Sequence, residues 1–187
     1  MKYRIVTLFT LALMLSVSPK LIAGNQGGGK HFVFNLVGTG YQYADTVPDP
    51  ESGGEMDALC FDVALVNLKN RQIIGTASDC LSEIENAESG TVFLTGTTYF
   101  HLPQGTLITQ GKTTVAAVEQ TTVTPGAGDI THITGASGTG NAIVGGTRRF
   151  AKSTGTARLS GMVNLSDFTM EDGDPITFDC IFVIDLD

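Results

Sequence analysis

The sequence predicts an all-β domain of eight antiparallel strands. Three observations predict it. Downstream of Lys30 the apolar residues recur with period two rather than 3.6, the spacing that places alternate side chains on one face of a strand. The 187 residues include 23 Gly and no Trp, alongside many Thr and Val. Gly supplies the positive φ of tight turns, and β-branched side chains fit a pleated surface. Long amphipathic helical patterns are missing from the sequence, and parallel strands would require crossover helices, so the sheet is expected to be antiparallel. Eight such strands either close into a barrel or split into a sandwich.

The elements follow in order. His31-Phe32-Val33-Phe34-Asn35-Leu36-Val37 is the first strand, and Asp45 to Glu55, with two Pro, two Gly and four acids, is a polar loop. Leu59 to Leu68 alternates with Phe61, Val63 and Leu65 on one face. Lys69-Asn70-Arg71 turns the chain into Ile73 to Ile84. Thr91 to Leu102 carries Val92, Leu94, Phe100 and Leu102 in one register, and Thr106 to Val118 is rich in Thr and Val. Thr124-Pro125-Gly126-Ala127-Gly128-Asp129 is a turn cluster. Ile130 to Gly146 is a strand interrupted by Gly, and Gly155 to Leu165 is the next. Ile176 to Leu186 closes the chain with Phe178, Cys180, Phe182, Ile184 and Leu186 at spacing two. Ile181 and Val183 make its other face partly apolar too, so this strand is expected to be covered on both sides.

The first residues stand apart. A basic start, Met1-Lys2-Tyr3-Arg4, leads into an apolar run from Ile5 to Val17, and Leu21-Ile22-Ala23 ends on a small residue. This is the layout of a secretory signal peptide, cut after Ala23. The run is shorter than the roughly 20 apolar residues a membrane-spanning helix needs. The expected organisation is a signal peptide at 1–23, a flexible leader at 24–30 and one domain at 31–187, secreted or periplasmic. The formal charge is −8, from 11 Lys+Arg against 19 Asp+Glu. Cleavage would remove Lys2, Arg4 and Lys20 and no acid, leaving the chain more acidic still. Sequence-independent nucleic-acid binding needs clustered cations, and docking on an anionic membrane needs the same, so neither is expected of the processed chain.

Candidate chemistry is sparse. If the turn centres on Asn70, Leu68 meets Gln72, Val66 meets Ile74 and Cys60 meets Cys80. Opposed strand residues lie within reach of a disulfide, and export permits the bond, so Cys60–Cys80 is the expected bridge with Cys180 left over. The competing reading is three buried thiols acting as small hydrophobes. His31, His101 and His132 are scattered singly, without metal-ligand spacing and without an evident Ser-His-Asp set. Gly140 to Thr147 lacks the Lys and the following helix of a phosphate loop, and reads as a tight turn. Asp167, Glu171, Asp172 and Asp174 share a loop before Pro175, without the spacing of a calcium-binding helix–loop–helix. Asn164-Leu165-Ser166 is a formal glycosylation sequence. Asp62 and Arg158 sit within strands, where a charge is costly unless it is paired or wet. They are the candidates for a cavity-facing catalytic role, weighed against a plain outward position. No cofactor or metal is expected.

Asn141-Ala142-Ile143-Val144-Gly145-Gly146-Thr147-Arg148-Arg149-Phe150, followed by Gly155, resembles the Val-Val-Gly-Gly-Thr-Gly-x-Phe segment of dirigent proteins. It is also similar to the Gly-Gly-Ser-Gly-x-Phe segment of allene oxide cyclases. Gly105 to Gly111 resembles a strand of the same superfamily, and Phe178 to Leu186 its last strand, so that the likeness covers roughly residues 90 to 187. Arg148 stands where the dirigent motif has its third Gly, and Thr154 where dirigent proteins have an Arg. The resemblance implies an eight-stranded, calycin-like antiparallel β-barrel with an apolar interior, often a homotrimer. Gly145, Gly146, Thr147 and Phe150 would form its motif turn. None of the cyclase's catalytic residues carries over.

Three functions compete. An isomerase-like enzyme or stereochemical guide would confine a reactive hydrophobic molecule and fold it for cyclisation or coupling, with little acid–base machinery. A carrier would bind an apolar ligand without chemistry. A structural barrel would fill its interior with its own side chains. The low aromatic content, 7%, favours an open interior. A cavity containing one buried Asp or Arg would favour the first reading, an open and wholly apolar cavity the second, and a filled interior the third.

Overall fold

The computed structural model describes residues 29–124, 128–138 and 140–187. The expected signal peptide and most of the leader lie outside the described residues, as do the three central residues of the turn expected at Thr124 to Asp129. Ten strands form one antiparallel sheet: β1 (His31–Tyr41), β2 (Tyr43–Pro48), β3 (Glu55–Asn67), β4 (Gln72–Asn86), β5 (Val92–Leu102), β6 (Gly105–Thr124), β7 (Gly128–Ala136), β8 (Asn141–Gly146), β9 (Gly155–Asn164) and β10 (Pro175–Leu186). Among the described residues the only helical segment is a single 3-10 turn at Arg148–Phe150, and no helix is long and apolar enough to cross a membrane.

The sheet closes on itself. Pairing runs β1-β10-β9-β7-β6-β5-β4-β3, and β3 returns to β1, giving a ring of eight strands. The two remaining strands extend ring positions. β8 continues β7 along β6, after the chain steps out of the sheet near Ser137, so β7 and β8 share the place between β6 and β9. β2 continues β1 along β3, after a break at Gln42. The segment read from sequence as one Gly-interrupted strand, Ile130 to Gly146, is therefore two strands in one position. The loop expected from Asp45 to Glu55 is shorter than its composition suggested, because Tyr43–Pro48 pairs with Glu55–Cys60 and leaves only 49–54 as the turn.

The turn between β3 and β4 also differs from expectation. Cys60 does face Cys80, but a bulge between Leu65 and Val66 shifts the register, so Val66 meets Ile73 and Asn67 meets Gln72. The extra residue is Ile74, left unpaired on β4, and the chain then reverses in a tight turn in which the Arg71 N–H donates to the Asn67 carbonyl at 2.7 Å, with Arg71 at φ 58°. The bulge lies closer to the tip than the cysteines and leaves their pairing intact.

Alternation divides each strand between two faces. Phe34, Leu36, Phe61, Val63, Leu65, Leu94, Phe100, Leu107, Phe178, Phe182 and Ile184 belong to one core inside the ring. Burial of each such Phe or Leu stabilises the fold by about 1.5–3 kcal/mol. A second, smaller core consists of Val47, Ala58, Cys60 and Cys80, with Tyr43, Met56 and Tyr99 packed against it. Its residues alternate with the inward ones on β3 and β4, so it lies on the outside of the ring, beneath the β2–β3 hairpin. The hairpin is tied across the sheet by Gln110, whose Nε2 donates to the Pro48 carbonyl at 2.7 Å and to Thr97 Oγ1 at 2.9 Å. Cys60 and Cys80 form the disulfide, with Cα atoms 4.0 Å apart, and Cys180 is free and buried.

Candidate functional site

The ring is filled unevenly. Near the start of β1 and the end of β5, aromatic rings pack edge to face and stacked. Phe32 and Phe34 lie 5.5 Å apart, Phe34 and Phe100 5.9 Å, and Phe100 and Phe182 5.1 Å between centroids. Phe150, from the motif turn, joins this cluster through Phe32 at 6.4 Å. The opposite end of the ring contains a cavity of about 110 Å³. Its walls include Leu81, Leu94, Leu159, Val163, Ile176 and Phe178, and its floor reaches Phe182 at the edge of the aromatic cluster.

Register removes two side chains from this wall. On the inward face of β5 and β6, Gly96 stands opposite Gly111, so neither strand projects a side chain there. Thr113 and Asn141 use the room: a Cβ on Gly96 would lie 3.1 Å from Thr113 Oγ1, and one on Gly111 would lie 2.5 Å from Asn141 Oδ1. Thr113 Oγ1 and Asn141 Oδ1 are both buried without a hydrogen-bond partner among the described residues, and both side chains line the cavity.

One carboxyl group lines this mostly apolar space. Asp79 lies on β4 between Ala77 and Leu81 on the inward face, opposite Phe61 of β3 and Thr98 of β5. Thr98 Oγ1 donates to Asp79 Oδ1 at 2.7 Å, the one hydrogen bond this carboxyl receives among the described residues. Burial raises its pKa from 3.8 to about 6, because the apolar walls disfavour the charged form more than the Thr98 hydrogen bond favours it. Cys180, on β10, also lines the cavity; burial first, then the nearby Asp79 charge, pushes its thiol well above the ordinary value. Such a thiol stays protonated and is a poor nucleophile.

The loop after β9 covers this end. Leu165, Phe168 and Met170 line the cavity, and Phe168 meets Phe61 edge-on at 5.9 Å. The acids of this loop are used in part to shape it. Asp174 accepts from the Thr169 N–H at 2.6 Å, the Thr169 hydroxyl at 2.8 Å and the Glu171 N–H at 3.1 Å, which holds its carboxyl below the ordinary range. Gln42, at the break between β1 and β2, clasps the loop: its N–H donates to the Asp174 carbonyl, its carbonyl accepts from Gly173, and Nε2 donates to the Met170 carbonyl.

The two charges singled out from sequence are elsewhere. Asp62 and Arg158 are exposed and do not line the cavity. Asp62 accepts from Ser78 Oγ at 2.5 Å and from the Tyr43 hydroxyl at 3.1 Å on the outer face. Ser78 Oγ also lies 3.1 Å from His101 Nε2, so serine, histidine and aspartate do meet here. Their order is wrong for a relay, however, because the carboxylate touches the serine and not the imidazole it would have to orient. Arg158 pairs with Asp185 at 3.1 Å, which also takes His31 at 2.7 Å, a solvated cluster of little energetic weight.

The motif turn packs as a close approach. A Cβ on Gly146 would lie 2.5 Å from the Phe150 carbonyl oxygen, so only Gly fits, whereas Gly145 has ordinary space. Thr147 exchanges bonds with Thr106 of β6: its N–H donates to the Thr106 carbonyl at 2.8 Å, and its Oγ1 accepts from the Thr106 N–H at 2.9 Å. Phe150 is thereby pinned in the core. These residues support the filled end of the ring and do not line the cavity.

Sequence reasoning missed Asp79. The signal was present, because the register that sets Cys60 opposite Cys80 sets Phe61 opposite Asp79, and Phe61 was already on the core face. No protein-family model matches the chain, and no curated protein matches it.

Proposed function

We propose that the protein binds a small, mostly hydrophobic molecule inside the ring. The observation that carries this reading is the cavity of about 110 Å³, walled by aliphatic and aromatic side chains with Asp79 among them. For comparison, an engineered apolar cavity of about 150 Å³ accepts benzene, so the space suits a compact ligand or the end of a longer one. The aromatic cluster supports the ring from one end and leaves the other for the ligand. In this reading the protein is an exported, barrel-like binding protein of the dirigent and allene oxide cyclase type, which the disulfide suits because such bonds persist in oxidising compartments.

A second reading makes the same cavity a guide for cyclisation or coupling. The observation favouring it is the Asp79 pKa of about 6, which lets this carboxyl exchange a proton near neutral pH inside a confining apolar space.

Native mass spectrometry against small phenolic compounds and short fatty-acid-derived compounds tests the binding reading. One ligand per chain is expected, with binding lost in Leu159→Phe, which fills the cavity from β9 and leaves the outer surface unaltered. A folded protein that retains no compound, or a Leu159→Phe variant that binds as well as the unchanged chain, would remove the cavity as the site.

A further inference from the structure

The cavity is chemically one-sided. Its described lining contains one carboxyl, Asp79, and no Lys, Arg or His. The titratable neighbour facing Asp79 from across the ring is Cys180 of β10, a protonated thiol. Every other group facing it is neutral. Its cross-strand neighbours are Phe61 of β3 and Thr98 of β5, and the other residues lining the cavity, from β4 to β10 and the covering loop, carry no charge. An ionised carboxylate can accept about four hydrogen bonds. Asp79 receives one, from Thr98. Thr113 and Asn141 line the same space, and the Thr113 hydroxyl and the Asn141 amide oxygen have no partner among the described residues. A buried charge with one hydrogen bond and no counter-charge is costly, and strands tolerate it where something completes it.

We propose that the cavity is a site for a small hydrophobic ammonium ion, whose charge Asp79 balances and whose hydrocarbon body the Leu, Val and Phe walls enclose. The proposal rests on the binding reading above and names its ligand class. The ammonium N–H groups donate to the free acceptor positions of Asp79, with Thr113 and Asn141 offering further oxygen acceptors. Neutral alcohols of the same shape fit the walls but leave the carboxylate without a counter-charge. Carboxylates of the same shape are repelled.

Titration calorimetry with cyclopentylamine, cyclopentanol and cyclopentanecarboxylate tests this on the full folded chain. The amine is expected to bind about tenfold or more tighter than the alcohol, as a charge-assisted hydrogen bond exceeds a neutral one. The carboxylate is expected not to bind. The amine binds the ionised form of Asp79, so its affinity rises with pH through about 6 and then levels, while that of the alcohol does not rise. In Asp79→Asn, which keeps the shape and removes the charge, the amine's advantage is expected to vanish while the alcohol still binds. Equal affinities for amine and alcohol, or an amine preference that survives Asp79→Asn or is flat across pH 6, would overturn the ammonium proposal and leave the hydrophobic site standing. Failure of all three probes to bind would overturn the ammonium proposal, and the hydrophobic site would then stand or fall on the native mass spectrometry above.

Discussion

Asp79 is a buried carboxyl with one hydrogen bond among the described residues, and its consequence for stability has a definite sign. Its folded-state pKa, about 6, lies above the ordinary 3.8. Between those values the folded chain still holds the proton that the unfolded chain has released. Stability contributed by this group is therefore complete below about pH 4, falls as pH rises toward 6, and is level above. Two pKa units correspond to about 3 kcal/mol as an upper bound. Asp79→Asn does not titrate. In urea unfolding, the gap in stability between Asp79→Asn and the unchanged chain is expected to widen in favour of the variant across that window, by up to about 3 kcal/mol. A constant gap from acid to neutral pH would mean that the Asp79 carboxyl is as well solvated as an exposed one. The residue itself was legible only indirectly. Charge in a strand drew attention to Asp62, one residue after Phe61 and so on the opposite face, because composition shows a charge but not its side. Side follows from register, and the register that sets Cys60 opposite Cys80 also sets Asp79 opposite Phe61.

At the scale of elements, the β2–β3 hairpin is the part whose position depends most on covalent chemistry. Its β3 strand belongs to the ring through β4 and β1, while its β2 strand lies over the outer face on a small core and is attached by that core, by pairing with β3 and by the Gln110 bonds, with the Cys60–Cys80 bridge beneath it. The bridge spans a sequence separation of 20 residues. Closing a loop of that size in the unfolded chain is worth about 3 kcal/mol in the chain-entropy account. Replacing both cysteines by Ala is expected to lower unfolding stability by about that amount, and non-reducing peptide mapping of the unchanged chain is expected to recover the Cys60 and Cys80 peptides joined, with Cys180 alkylated only after unfolding. An undiminished unfolding midpoint in the double variant would show that strand pairing alone positions the hairpin. Elements were the most readable level of the sequence. The long alternating runs of β3, β5 and β10 announced themselves, since a half-buried strand imposes period two over many residues. Two features stayed hidden for physical reasons. Tyr43–Pro48 becomes a strand because β3 offers it an edge, a long-range cause invisible in a segment rich in acids and Pro. The split between β7 and β8 occurs where the chain leaves the sheet after Ala136, and one Gly-interrupted run cannot show whether its neighbours on either side share a partner.

For the whole molecule, the distribution of pairing predicts where the ring yields first. β1 and β10 share eleven paired residues, as do β5 and β6. The closure between β1 and β3 rests on four, Phe34–Val37 against Ala64–Asn67. The seam between β7 and β9 also rests on four, His132–Gly135 against Ser160–Val163, with β8 adding two more. The two thin seams differ in what lies behind them. Leu36 and Leu65, at the β1–β3 closure, are fully buried in the core, and Phe34 beside them belongs to the aromatic cluster. Behind the β7–β9 seam lies the cavity, since Thr134 and Val163 line it, so the inner face of this seam is packed less fully than that of the closure. Local opening costs least where few hydrogen bonds and few apolar contacts must be given up together. Amide hydrogen exchange is therefore expected to be fastest among the sheet interior bonds at the β7–β9 seam, slower at the β1–β3 closure, and slowest across β5–β6. A ligand in the cavity is expected to slow the β7–β9 amides and leave the β5–β6 amides as they were, because it supplies the contacts that this seam lacks. Exchange that begins at β5–β6, or that ligand slows uniformly around the ring, would show that the molecule opens as a single unit and that the cavity does not weaken its own wall.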